Sequence, residues 1–208
     1  MVQAGSQERL FQLLGEHPAL DLVNTLDWRF RDGGPEELLG GYGDLVDFAQ
    51  QVQLVTVKQA RQLKRSTTVH AGHRVLLLAR DLREALADLL YSEWNRPDTP
   101  DASLKALEKH FQAARAQTRL VRDQAQLRWE WAADAEARAE YPLWLLTRAA
   151  SRLLVSESVQ KVRECGNPDC RWLFLDTSKN HTRRWCDMKI CGNRMKARRF
   201  KAQHKPEV

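Results

Sequence analysis

The stretch Cys165–Phe200, CGNPDCRWLFLDTSKNHTRRWCDMKICGNRMKARRF, holds every cysteine of the chain. They form two equally spaced pairs, Cys165/Cys170 and Cys186/Cys191, each Cys-x4-Cys. A structural Zn²⁺ takes four ligands in tetrahedral directions, and thiolate is a preferred partner. Each pair can wrap one edge of such an ion. Gly166, Asn167 and Pro168 suit a tight knuckle inside the first pair. In RWLFLD, Trp172 and Phe174 alternate with Leu173 and Leu175, the period of a short strand over the site. The segment between the pairs is long enough for a small hairpin that returns the chain to the metal, and a helix is expected to start near the second pair. Knuckle, hairpin and helix together make a treble-clef or zinc-ribbon-like finger. The expectation is one structural Zn²⁺ on Cys165, Cys170, Cys186 and Cys191; two disulfides or an iron–sulfur cluster are the alternatives. Four thiolates leave no open coordination position, which argues against a catalytic metal. His181 lies between the pairs, but four thiols already fill the site.

The positive charge sits in the same region. The chain carries +6 overall, yet residues from Lys161 onward hold about +8 and residues 1–160 about −2. A basic segment beside a near-neutral body points to a polyanionic partner. At 100° per residue, Arg194, Arg198, Lys201 and Lys205 share a helical stripe, and Met188, Cys191, Met195 and Ala202 an apolar one. Like charges on one stripe repel by a few tenths of a kcal/mol per pair, a strain that a nucleic-acid backbone relieves. Arg183 and Arg184 precede Cys186. The candidate nucleic-acid surface is therefore Arg183, Arg184, Arg194, Arg198 and Lys201; for Arg194 a brace of the knuckle carbonyls is the other role. The alternative for the whole stripe is a solvated helix whose arginines pair with acids elsewhere.

Upstream the pattern is mainly helical. HPALDLVNTLDWRF places Leu20, Val23 and Leu26 on one face, with Pro18 at the helix start. RDGGPEELLGGYG reads as a loop, followed by short helices in DLVDFAQQVQL and VTVKQARQLKR. HRVLLLARDLREALADLLYSEW is a long helix whose Val75, Leu78, Leu82, Leu86 and Leu89 form a buried stripe. Thr99 and Pro100 are expected to start the next helix, with Leu104, Leu107, Phe111 and Ala114 on one side. LRWEWA has a two-residue period and pairs with TRLVRD as a small β hairpin, and EYPLWLLTRAASRLLVSES returns to helix. HAGH reads as a helix start. The division expected is a helical domain over residues 1–158 and a finger over 159–208, too small to hold a core without its metal.

The cysteine segment resembles the CGNR zinc finger, after Cys191, Gly192, Asn193 and Arg194. The pattern C-x4-C-x-W-x-F-x-D-x-S-x-N, then R-x-W-C-x-M-x-x-C-G-N-R, is matched throughout. LDLVNTLDWR, YGDLVDFAQQVQL and ARDLREAL resemble the ABATE domain that usually precedes this finger; QVQLVT is more polar than usual there. The resemblance covers nearly the whole chain and implies a stress-linked bacterial transcription regulator.

Such a regulator needs an input. Asn24, Thr25, Asp27 and Arg29 are polar residues in an apolar helical pattern. Asn24, Asp27 and Arg29 are a candidate pocket for an unidentified small-molecule effector, with Trp28, Trp129, Trp131 and Trp144 as candidate walls; bracing of neighbouring loops is the alternative for Asn24 and Asp27. No nucleophile elbow, phosphate loop, dinucleotide fingerprint or His-Glu-x-x-His motif occurs, and every cysteine is assigned to metal, so an enzyme is not expected. An RNA-binding protein or a protein-interaction adaptor are further alternatives. No run of about 18 apolar residues predicts a membrane span, and the N-terminal residues lack a signal-peptide pattern, so a cytoplasmic location is expected. A homodimer is left open.

Overall fold

A computed structural model of the chain describes residues 10–92, 101–124 and 126–203. In chain order its elements are α1 (Pro18–Asn24), β1 (Leu26–Asp27), β2 (Glu36–Glu37), α2 (Tyr42–Gln51), α3 (Val57–Ser66), α4 (Val69–Tyr91), α5 (Asp101–Arg115), β3 (Thr118–Asp123), β4 (Gln126–Trp131), α6 (Tyr141–Leu154), β5 (Val162–Glu164), β6 (Leu173–Leu175) and α7 (Asn193–Gln203). The architecture is mainly α with three two-stranded antiparallel pairs. The expectations at Trp94, Thr99, Pro100 and Lys205 lie outside the described residues. Among the described residues, no helix is long and apolar enough to cross a membrane.

The chain packs as two compact units. One comprises residues 39–152 with the end of the N-terminal stretch at 10–11; the other comprises residues 12–38 and those from 153 on. By packing, residues 12–38 group with those from 153 to 203.

In the first unit, α4 supplies the central stripe. Val75, Leu82 and Leu86 are wholly buried, as the helical period requires. Thr68 caps this helix, its hydroxyl accepting the Ala71 N–H at 3.3 Å. Gly72 lets α2 approach, because a Cβ there would stand 2.9 Å from Tyr42 Cβ. A capping box starts α3: Thr56 Oγ1 accepts the Gln59 N–H, and the Gln59 side chain accepts the Thr56 N–H. Val46, Ala49, Leu63, Ala114, Tyr141, Trp144 and Leu145 form one apolar cluster. The expected β3–β4 hairpin forms, with Leu120 opposite Trp129 and Thr118 opposite Trp131.

In the second unit, α1 begins as expected at Pro18, with His17 Nδ1 accepting the Ala19 N–H at 3.1 Å. It ends at Asn24 instead of continuing to Phe30. The Thr25 hydroxyl donates back to the Leu22 carbonyl at 2.6 Å, and the next two residues pair with Glu36–Glu37 as strand. Asn24 and Asp27 thus belong to different elements. The β5–β6 hairpin lies on either side of the first cysteine pair, with Val162 opposite Leu175. The hairpin expected between the two pairs is displaced because the Cys165–Cys170 knuckle is itself the connection, closed by the Cys165 N–H donating to the Trp172 carbonyl at 2.9 Å.

Candidate functional site

The four cysteines are buried and unbridged. Their sulfurs all lie within 4.8 Å of one another. Cys170 Sγ is 3.7 Å from Cys186 Sγ, which is 3.6 Å from Cys191 Sγ. A disulfide needs about 2.05 Å, so these are not disulfide distances. Tetrahedral Zn–S bonds of about 2.3 Å set ligand sulfurs about 3.8 Å apart. The observed spacing fits that figure for a single ion and is tight for a cluster of several irons. The residues therefore form the site of one structural zinc, which would be bound by Cys165, Cys170, Cys186 and Cys191. Bound there, it would offset half of the thiolate charge and tie the knuckle to α7.

Three of the thiols interact directly. Hydrogen bonds from the Cys170 and Cys186 thiols pull the Cys165 thiol well below its usual range. The same contacts with Cys165, together with burial, push Cys170 and Cys186 up. One thiolate is thus stabilised at the expense of its neighbours, and a dication removes that competition.

A polar shell holds the ligands. Asn167 is fully buried and its amide N–H points at Cys191 Sγ, 3.5 Å away. Its carbonyl accepts the Cys170 and Arg171 N–H groups at 2.9 and 3.0 Å. Asp187 Oδ1 accepts the Lys189 and Ile190 N–H groups and starts a π turn, Met188–Gly192, that delivers Cys191 to the metal and runs into α7. Asp176 is fully buried and accepts the Ser178 N–H at 3.1 Å and the Arg183 N–H at 3.0 Å. The hydrogen bonds from Ser178, foremost, hold its carboxyl below the usual range. His181 is not a ligand; its Nδ1 lies 3.0 Å from the Asp176 carbonyl oxygen.

The N-terminal segment completes this shell from within the same unit. Asn24 is buried, donating to the Leu173 carbonyl at 2.9 Å and accepting the Leu173 N–H at 3.0 Å. Its amide occupies the edge of β6 as a strand would. Gly15 supplies the next rung, its carbonyl accepting the Leu175 N–H at 3.0 Å. A Cβ on Gly15 would come 2.9 Å from the Asp21 backbone nitrogen, so this close turn needs glycine. Asp27 Oδ1 accepts the Trp172 indole N–H at 2.8 Å, and burial, foremost, raises its carboxyl above the usual range. Of the two roles weighed for Asn24 and Asp27, the structure displays bracing. Arg29 is half-buried in the connection from β1 to β2. The three do not line the cavity walled by Trp129 and Trp131, which belongs to the other unit.

The basic residues separate into two kinds. The Arg183 side chain is only 23% exposed. It donates to the carbonyls of Trp185 at 3.0 Å and Leu14 at 3.4 Å, bonds the Cys186 carbonyl and the Glu16 carboxylate, and stacks 4.3 Å from the Phe174 ring centroid. Arg183 is therefore corrected from a surface contact to an internal brace, because its donors are engaged. Arg184 is exposed, with its guanidinium 4.9 Å from the Trp185 ring centroid. Arg194 stacks on Trp28 at 4.9 Å and remains exposed. Arg198 reaches Asp169 at 3.5 Å while 62% exposed, and Lys201 is exposed. No described residue of α7 is buried, so the apolar side expected around Met195 and Ala202 is not a packed one.

Sequence reasoning placed Asn167 in the knuckle and Asp176 in the family pattern but gave neither its bonding role, and it missed Gly15 and the bracing role of Arg183.

Residues 161–204 match the model of the CGNR zinc finger. Residues 16–157 match the model of ABATE, described as "Putative stress-induced transcription regulator". The chain belongs to the ABATE family. No curated protein matched the sequence. The ABATE match starts at Glu16, so it includes the segment that packs in the same unit as the cysteines.

Proposed function

We propose that the protein is a bacterial transcription regulator that binds nucleic acid, DNA in preference, through the zinc finger and α7, with the helical unit as its sensor. The observation that supports this most is α7 itself. Arg194, Lys196, Arg198, Arg199 and Lys201 stand on eleven residues that include no acid and no buried side chain. A helix with no buried side chain gains little stability from packing. A row of phosphates would supply counter-charge and release bound cations. Arg184, Arg194, Arg198 and Lys201 form the proposed surface. Contacts of this type position the protein more than they read sequence. The reading is regulatory, not enzymatic: all four thiols are committed to a closed metal site, and both family descriptions are of regulatory or zinc-finger type.

The test is a mobility shift with duplex DNA across a salt series. Arg198→Ala with Lys201→Ala should weaken binding and flatten the dependence of log K on log salt by about 0.9 per lost phosphate contact, with zinc retained. Unchanged DNA and RNA affinity after Arg184, Arg198 and Lys201 are all replaced would refute the surface and favour a protein-interaction adaptor. Tighter binding to single-stranded RNA than to DNA would reassign the nucleic acid.

A further inference from the structure

The unit that carries the β3–β4 hairpin contains a cavity of about 390 Å³ between α5, the hairpin and α6. Its apolar walls include Phe111, Trp129 and Trp131. The volume lies in the range of small-molecule sites, which are typically apolar with a few placed polar groups. Three guanidiniums line the same space: Arg115 on α5, Arg148 and Arg152 on α6. Among the described residues that line it there is no carboxylate.

Two of these cations are oriented. Arg115 donates to Thr118 Oγ1 at 2.9 Å and lies over the Trp129 ring, 3.2 Å from its centroid. Arg148 lies 4.7 Å from the Trp131 ring centroid. Stacking fixes the plane of a guanidinium and leaves its N–H edge available. Arg148 and Arg152 stand one helical turn apart, a repulsive spacing for like charges. Burial, and then Arg152, lower the Arg148 pKa. Among the described residues, no salt bridge to an acid joins Arg115, Arg148 or Arg152. Arg148 is partly buried while Arg115 and Arg152 are exposed, and an anion among them would offset their mutual repulsion. The apolar walls require that this anion carry an apolar body, and paired tryptophans suit a flat one. Guanidinium pairs match the two oxygens of a carboxylate.

We propose that this cavity is an effector site for a small aromatic carboxylic acid, its carboxylate between Arg148 and Arg152 and its ring against Trp129 and Trp131. Trp129 is 50% exposed, which leaves the ligand an entrance. The binding test needs no nucleic acid, so its outcome is separate from that of the finger's function. The full chain, zinc-loaded, is titrated by calorimetry and tryptophan fluorescence with 3-phenylpropanoate and 4-phenylbutanoate. 3-Phenylpropanol and inorganic phosphate serve as the uncharged and the bare-anion probes. The acids should bind at least about tenfold tighter than the alcohol, as one charge-assisted pair implies, and phosphate should bind weaker still. Arg148→Gln and Arg152→Gln should each lower acid affinity by about tenfold or more and leave alcohol binding unchanged. Trp129→Phe should reduce the fluorescence response. Arg152 is exposed, so its variant keeps the test decisive if Arg148→Gln unfolds the chain. The proposal is overturned by equal affinity for acid and alcohol, by phosphate binding as tightly as the acids, by no heat from either acid at about 10 mM, or by unchanged acid affinity in folded Arg152→Gln.

Discussion

Asn24 lies outside the cysteine segment, yet its replacement should loosen the metal. Its amide makes both backbone hydrogen bonds to Leu173, at 2.9 and 3.0 Å, in buried surroundings. In Asn24→Ala the Leu173 N–H and carbonyl lose their partners at the edge of β6. A buried backbone group left unsatisfied costs about 1–3 kcal/mol, so the two together cost about 2–6 kcal/mol. Residue 173 is three positions from the ligand Cys170, and folding of a small zinc site is coupled to metal binding. At the lower bound the zinc affinity should fall by about thirtyfold, since 1.4 kcal/mol is a factor of ten. Asn24→Leu separates the lost bonds from the lost volume, because it fills the space and restores neither bond. Asn24→Asp keeps the acceptor and loses the donor, so it should also fall below wild type. The assay is competition for zinc with a coloured chelator in fully reduced protein, alongside thermal melting. The reasoning is refuted if Asn24→Ala and Asn24→Leu hold zinc within about twofold of wild type and melt with it.

Three further outcomes are expected. A fragment of residues 159–208 should hold zinc poorly, because it lacks Gly15, Asn24 and Asp27, and a peptide of residues 12–38 added in trans should restore binding; tight zinc binding by the fragment alone would contradict this. Arg183→Met should lower the melting temperature and weaken zinc, its lost bonds to carbonyls and to Glu16 being worth about 1.5 kcal/mol or more, whereas Arg198→Ala should leave both unchanged; a Met variant that keeps zinc and loses only DNA would restore Arg183 to the surface. Burial raises the Asp21 carboxyl to about 6, above its unfolded value of about 3.9, so the charged form costs the folded state about 2–3 kcal/mol above pH 6. That cost fades as pH falls from 6 toward 4, so Asp21→Asn, which keeps an acceptor for the Gly15 N–H, should melt above wild type at pH 8, with the difference closing near pH 4–5; a difference that does not vary with pH would refute the assignment.

The helices and the metal ligands were legible in the sequence because their signals are local. Val75, Leu82 and Leu86 recur at the helical period and are buried, and the equal spacing of Cys165/Cys170 and Cys186/Cys191 specifies a four-thiolate site. The β3–β4 hairpin was legible from the alternation in LRWEWA and the adjacent TRLVRD. The composition of the second unit was not legible, because its bonds join residues far apart. Asn24 and Leu173 are 149 positions apart, and no periodicity reaches that far. The hint was chemical: an asparagine beside the apolar face of LDLVNTL must find partners if buried, but the sequence does not say where. Arg183 and Arg184 show the same limit. Adjacent arginines are equivalent by composition, and only packing turns one inward onto Phe174 and the Cys186 carbonyl and leaves the other in solvent.

These long-range bonds alter what the zinc does. With ligands from two separated pairs, the metal holds the knuckle against α7. With β6 anchored at Gly15 and Asn24, the same metal stabilises residues 12–38 through their bonds to the strand that follows the first pair. Thermodynamic coupling is reciprocal: whatever loosens 12–38 weakens zinc, and whatever removes zinc loosens 12–38. The beginning of the ABATE match is therefore energetically part of the finger. A variant there that lowers nucleic-acid binding would act through the fold of the cysteine site, and its zinc content, measured beside its DNA affinity, distinguishes that route from a direct contact.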